Sequence, residues 1–238
     1  MTEAAVFSWK GRTGPFDLLL GPGVFRPSST SAAVAEALEV RSGETVLDVG
    51  CGSGVLSFVA ARLGAVRVYG CDVSEQAVAA ARTNADRLGL GDVTDFRAGS
   101  LLEPVRDVEA DVVIGDVSGI PDAIAEVSGW FPDGYAGGPT GSELPAAMLT
   151  GIGDVLRPGG RLYLPTGTIQ HEESVLAAAR RAFGRDNLEM VLERHFPLPD
   201  LVARSKAVTR MISDGVVELK QRGSRFLWRL RVWCCTRP

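Results

Sequence analysis

The stretch Thr45-Val46-Leu47-Asp48-Val49-Gly50-Cys51-Gly52-Ser53-Gly54 constrains this chain more than any other. Apolar and β-branched residues run into an acidic one, glycines then alternate with small residues, and Val55 to Leu63 follows with helical spacing. The pattern predicts a strand, a tight turn of bare backbone and a helix. Glycine suits a turn that a ligand must approach, because it carries no Cβ. A helix opening behind such a turn points unsatisfied N–H groups at whatever occupies it. The prediction is a ligand site at the carboxyl end of a parallel strand.

The spacing narrows the ligand. Dinucleotide-binding turns read G-x-G-x-x-G; here Val55 stands where the third such glycine would be. Asp72 ends the next predicted strand, Val66 to Asp72, 22 residues after Gly50. That is the distance at which a carboxylate meets ribose hydroxyls in nucleotide-binding βαβ units. Asp48-Val49-Gly50-Cys51-Gly52-Ser53-Gly54, together with Asp72, resembles the first motif of the class I S-adenosylmethionine-dependent methyltransferases.

Further strands are predicted at Val93 to Ala98, Asp111 to Asp116, Arg161 to Pro165 and Leu188 to His195, with helices at Glu75 to Leu88, Ser142 to Leu156, His171 to Phe183 and Pro199 to Ser213. Ser31 or a neighbouring hydroxyl caps a helix through Leu38, and Ser74 caps the helix after Asp72. Val216 to Lys220 and Phe226 to Trp233 alternate as a terminal hairpin. Strands alternating with helices imply an α/β fold with a doubly wound, mainly parallel sheet. The resemblance makes that sheet Rossmann-like and seven-stranded, with an antiparallel carboxyl-terminal strand. Residues 1–30 are expected to form a small strand or hairpin appendage ending in a cofactor-closing segment, and residues 31–238 the methyltransferase domain. The Gly- and Pro-rich stretch Trp130 to Gly141 reads as a functional or mobile loop.

Composition excludes several functions. A net charge of −4 over 238 residues gives no general attraction to nucleic acid or anionic membrane. No apolar run approaches the ~20 residues of a membrane span. The four cysteines form neither a disulfide framework nor a zinc pattern, and no secretory signal is visible, so a reducing cytoplasm is expected and no metal.

Within the superfamily the layout resembles the HemK-like release-factor glutamine methyltransferases. The similarity lies in Gly23-Val24-Phe25-Arg26-Pro27-Ser28-Ser29-Thr30, in Pro132-Asp133-Gly134 with Gly137-Gly138-Pro139-Thr140-Gly141, and in Arg157-Pro158-Gly159-Gly160-Arg161-Leu162. That family carries Asn-Pro-Pro-Tyr after the fourth strand; this chain has Asp116-Val117-Ser118-Gly119. The family's Asn accepts hydrogen bonds from an amide NH₂ and its Tyr stacks on the amide plane. Asp116 can still accept, and its charge also attracts an ammonium or removes a proton, whereas Gly119 stacks on nothing. An amine or a hydroxyl is therefore expected as nucleophile rather than a glutamine side chain.

The cofactor implied is S-adenosyl-L-methionine. Gly50, Cys51, Gly52 and Gly54 are assigned to the methionine portion, and Asp48 either orients the turn or meets the amino group. Asp72 takes the ribose, Val73 lies against the adenine, and Ser100 and Leu101 flank it. Asp116 faces both methyl group and acceptor as the catalytic residue, and the resemblance adds Thr30 closing over the cofactor. His171, His195 and Tyr135 are lesser candidates. A small-molecule acceptor is expected ahead of a protein side chain or RNA, with an inactive cofactor-binding partner as the third reading. The basic carboxyl-terminal stretch from Arg204 to Arg237 reads as a solvated hairpin face.

Overall fold

Period-2 and period-3.6 stretches alternate along the chain, and the computed structural model, which describes residues 5–130 and 136–238, turns them into a sheet covered on both faces. An amino-terminal hairpin, β1 (Ala5–Trp9) and β2 (Phe16–Leu20), precedes helix α1 (Ser29–Ala37). Then follow β3 (Thr45–Val49), α2 (Val55–Leu63), β4 (Arg67–Asp72), α3 (Glu75–Leu88), β5 (Thr94–Ala98) and β6 (Ala110–Ile114). Short helices α4 (Asp122–Ser128), α5 (Glu143–Thr150) and α6 (Ile152–Val155) lead to β7 (Leu156–Gly167) and α7 (Glu172–Phe183). The chain ends with β8 (Leu188–Leu198), α8 (Asp200–Ala203), α9 (Lys206–Ser213), β9 (Lys220–Arg222) and β10 (Arg225–Thr236).

The large sheet has the order β5-β4-β3-β6-β7-β10-β8, seven strands in one path, with β9 appended to β10. Strands β5 to β7 pair in parallel, while β10 runs antiparallel between β7 and β8. This is the expected mainly parallel, Rossmann-like sheet with an antiparallel carboxyl-terminal strand. The order reverses at β3 and β6, and the carboxyl ends on either side of that switch point form the crevice where α/β sheets bind ligands.

Three expectations are revised. Val216 to Leu219 is not strand: Val216 and Val217 fold back on Met211, and Val217 is buried against α9 and α4, so pairing starts only at Lys220. The alternation of β10 therefore reflects insertion between two long strands, not a two-stranded hairpin. The helix expected through Leu156 breaks at Gly151, and Leu156 already opens β7.

Packing fixes the glycine turn from behind. Phe58 of α2 is fully buried and meets Phe16 and Phe96 edge-on at centroid separations of 6.3 and 5.9 Å. Asn84 of α3 is also fully buried. Its carboxamide accepts from the Leu19 N–H at 2.7 Å and donates to the carbonyls of Leu19 and Ser53. One side chain thus binds hairpin, helix and turn together, and each of its polar atoms is satisfied, as burial demands.

Candidate functional site

At the crevice lies a cavity of about 900 Å³, near the upper end of the range for ligand pockets. Its lining follows strand order: residues 100–101 after β5, 72–74 after β4, 48–53 around the end of β3, 116–120 after β6, and 165–167 with 169–170 at the end of β7. Residues 23–31, between the hairpin and α1, form another wall, and Phe196 and Trp228 line the side toward β8 and β10. Among the described residues no cluster with metal-ligating composition occurs.

The turn after β3 is held locally. The Gly50 and Cys51 N–H groups both donate to the Cys71 carbonyl, at 2.8 and 3.0 Å. Asp72 accepts from the Gly52 N–H and the Ser74 N–H, each at 2.9 Å, so its carboxylate joins the turn to the start of α3. Gly52 (φ +54°) has nothing within 4 Å of where a Cβ would stand, which leaves its outer face open to the cavity. Gly54 (φ +90°) is different: a Cβ there would lie 2.6 Å from the Phe58 ring, and the residue does not line the cavity. The other assigned residues, Thr30, Asp48, Gly50, Cys51, Gly52, Asp72, Val73, Ser100, Leu101 and Asp116, all line it. Leu101 adopts φ +48°, an uncommon conformation for a residue with a side chain.

Asp48 is fully buried and accepts from Ser57 Oγ at 2.6 Å through one oxygen; the other oxygen has no partner. Burial pushes its carboxyl up to about 7, with the Ser57 hydroxyl opposing and the charges of Asp116 and Asp72 adding to the rise. Asp116 is raised to about 6, again by burial, with the Ser31 hydroxyl at 3.1 Å opposing. Burial with neighbouring negative charge disfavours the ionised form, so these carboxyls lack a cation. A sulfonium with its ammonium fits that lack, and the open face of Gly52 fits close approach of its chain to bare backbone.

Neither histidine lines the main cavity. His171 Nδ1 lies 2.7 Å from Ser174 Oγ at the start of α7, and His195 borders a separate small cleft. Residues 131–135 of the loop, Tyr135 among them, lie outside the described residues. The loop's other end is tied down: the Gly137 N–H donates to the Ile120 carbonyl and the Asp122 N–H to the Gly138 carbonyl. Part of the basic carboxyl-terminal stretch is paired, with Arg229 and Arg231 meeting Glu172 and Glu193.

Sequence reasoning missed Gln170, Ser57, Asn84, Phe196 and Trp228, and saw Ser31 only as a possible cap. Ser31 does close the capping box of α1 with Ser28, yet its hydroxyl also reaches Asp116. Except for Ser57, nine residues from Asp48, their neighbours are remote in sequence, so no local pattern marks them.

Residues 28–121 match the family described as Ribosomal protein L11 methyltransferase (PrmA). The chain is 39% identical over 100 residues to a ribosomal protein L11 methyltransferase of Syntrophomonas wolfei, covering 39% of this chain and 33% of that protein. It is thus similar to only about a third of that relative's length. It is 31% identical over 200 residues to a release factor glutamine methyltransferase of Moorella thermoacetica, covering 80% of this chain and 68% of that protein. In fold it is similar to the crystal structure of a ribosomal protein L11 methylase from Lactobacillus delbrueckii subsp. bulgaricus, with a TM-score of 0.53, 19% identity, and 91% of this chain and 83% of the other covered. Given an alignment of that extent to a release factor methyltransferase and the strand order on which the crevice is built, the chain belongs to the class I S-adenosylmethionine-dependent methyltransferases, the HemK-like group included.

Proposed function

We propose that this chain transfers a methyl group from S-adenosyl-L-methionine to a nitrogen of a macromolecular acceptor, with a protein favoured over RNA. The observation that carries the reading is the division of the cavity. Carboxylates and bare backbone surround the ends of β3 and β4, and an apolar half beyond Asp116 extends toward Phe196 and Trp228. The small-molecule acceptor expected from sequence yields to the macromolecular one, because relatives of both kinds carry names that state a protein acceptor. The overall acidity of the chain argues against an RNA backbone as the main attraction.

The cofactor supplies an already activated methyl group, so the protein's work is mostly positioning. Gly50 to Ser53 and the orphan oxygen of Asp48 hold the methionine end. Asp72 holds the ribose, and Val73, Ser100 and Leu101 border the adenine. Asp116 accepts a hydrogen bond from the nucleophilic nitrogen and receives the proton it sheds. No helix among the described residues is long and apolar enough to cross a membrane, and we place the reaction in the cytoplasm.

The test has two arms. Thermal melting with S-adenosylhomocysteine at ~100-fold over its dissociation constant adds about 2.7 kcal/mol of stability. Labelled methyl transfer is then followed onto purified ribosomal protein L11 and a peptide release factor. Label is expected on one of them, and Asp116→Asn lowers its rate at least about tenfold while the melting shift persists. A melting shift with no transfer to either protein supports the inactive-partner reading; no shift at all removes the cofactor assignment.

A further inference from the structure

The place left bare by Gly119 is occupied. A Cβ at that position would stand 1.9 Å from Oε1 of Gln170 and 3.0 Å from its carboxamide carbon, so no side chain can be added at 119 while Gln170 keeps its conformation. Gln170 is 6% exposed and lines the cavity. Its Nε2 is buried without a partner, and Oε1 takes part in none of the hydrogen bonds among the described residues. Ser118 Oγ, on the same wall, is likewise buried and unpartnered. Unpaired buried polar groups cost about 1–3 kcal/mol each, so Nε2 and the Ser118 hydroxyl leave this wall short of partners, while Oε1 stays free to accept from a ligand in the cavity that Asp116 also lines.

The surroundings hold this carboxamide in position. The Gln170 N–H donates to the Gly167 carbonyl, and the His171 N–H donates to the Thr140 carbonyl at 3.0 Å. A Cβ on Gly141 would come within 2.5 Å of the Gly119 carbonyl, and one on Gly137 within 2.7 Å of the Ser118 carbonyl. Residues 118–122, 137–141 and 170–171 therefore form a three-part clasp that tolerates no added bulk. It lies on the β6–β7 side of the switch point.

The geometry points to Gln170 as a specificity-determining residue: its Oε1 and the Asp116 carboxylate together accept from a nitrogen that carries at least two N–H bonds, a primary amine or a primary carboxamide. This rests on the methyl-transfer reading above. A hydroxyl, with one hydrogen to donate, satisfies only one of the two oxygens.

The test uses the full chain saturated with S-adenosylhomocysteine, in which Trp130 and Trp228 line the cavity and report occupancy by fluorescence. N-acetyllysine N-methylamide, N-acetylglutamine N-methylamide and N-acetylserine N-methylamide are titrated in turn. Saturable binding of the lysine or the glutamine probe is expected, and none of the serine probe; which of the two binds identifies the acceptor as amine or carboxamide. Gln170→Leu weakens that binding about three- to tenfold, the range of one lost hydrogen bond, and Gln170→Glu, which keeps an oxygen in place, retains it for the lysine probe. Gly119→Ala, which must displace the carboxamide, reproduces the loss. The melting shift with S-adenosylhomocysteine stays unchanged in all three variants. Equal binding by the wild type and Gln170→Leu, preference for the serine probe, or no binding of any probe overturns the inference. A missing melting shift in the wild type instead overturns the cofactor reading beneath it.

Discussion

The half of the cavity we assign to the cofactor comes from turns whose parts are neighbours. The N–H groups of Gly50 and Cys51 reach Cys71 on the adjoining strand, and Asp72 reaches Gly52 and Ser74. The half we assign to the acceptor is gathered from distant stretches. Ser31 reaches Asp116 across 85 positions, Gln170 fills the space beside Gly119, and Phe196 and Trp228 arrive from strands near the carboxyl terminus. A half built locally withstands change elsewhere and is spoiled by one wrong atom within it. A half built remotely can be retuned one residue at a time, which suits a superfamily that keeps one methyl donor and varies the acceptor.

The sharpest way to break the contrast is to spoil the local half. Gly54→Val places a branched side chain at φ +90° against the Phe58 ring. Left-handed backbone costs about 1–2 kcal/mol and overpacking about 1–3 kcal/mol more. A loss of about 3 kcal/mol in urea denaturation is expected, together with loss of the melting shift given by S-adenosylhomocysteine. Unchanged stability would mean that the turn is far more yielding than its packing implies.

What could be read from the chain alone follows the same division. Asp48 to Gly54 and Asp72 are legible because their partners lie on consecutive elements, so spacing encodes geometry. The sheet is legible because strands and helices alternate with clear periods. Gln170 is not legible: it ends Gly167-Thr168-Ile169-Gln170, a run with no motif, and its meaning arises only when β7 comes to lie beside β6. Val216 and Val217 mislead in the opposite sense, since β-branched residues there serve a turn that packs on α9. Long-range assembly overrides local preference in both cases.

A smaller effect tests the electrostatic tie within the local half. Asp72→Ala leaves the Gly52 and Ser74 N–H groups without their carboxylate. Each of these part-buried hydrogen bonds is worth about 1 kcal/mol net, so a stability loss of about 2 kcal/mol is expected, and with the assigned ribose contact also lost, S-adenosylhomocysteine affinity should fall about 100-fold in calorimetry. A drop under about threefold would show that the turn keeps its shape unaided and that Asp72 makes little contact with ligand.

The smallest effect concerns protons. Asp48 and Asp116 rise from 3.8 in the free side chain to about 7 and about 6, so the folded chain binds protons more tightly than the unfolded one. Their contribution to stability is therefore greatest at low pH and declines as pH rises from about 4 toward 7. Cation binding runs the other way, because it needs the ionised forms. Affinity for S-adenosylmethionine should increase between pH 5.5 and 7.5, by no more than about tenfold per unit, and level off above. Asp48→Asn should flatten the upper part of that rise; a profile that stays steep in this variant would assign the dependence to another group.

The unpartnered oxygen of Asp48 has a consequence for the whole reaction cycle under the proposed activity. A carboxyl that keeps its proton up to about pH 7 couples loading of a cation to release of that proton. The thioether product would keep the ammonium at its methionine end, so the carboxyl would take a proton back only as the product departs. The nucleophile gives up its proton to Asp116 in the same crevice. Ligand traffic and hydrogen-ion traffic are thereby geared together.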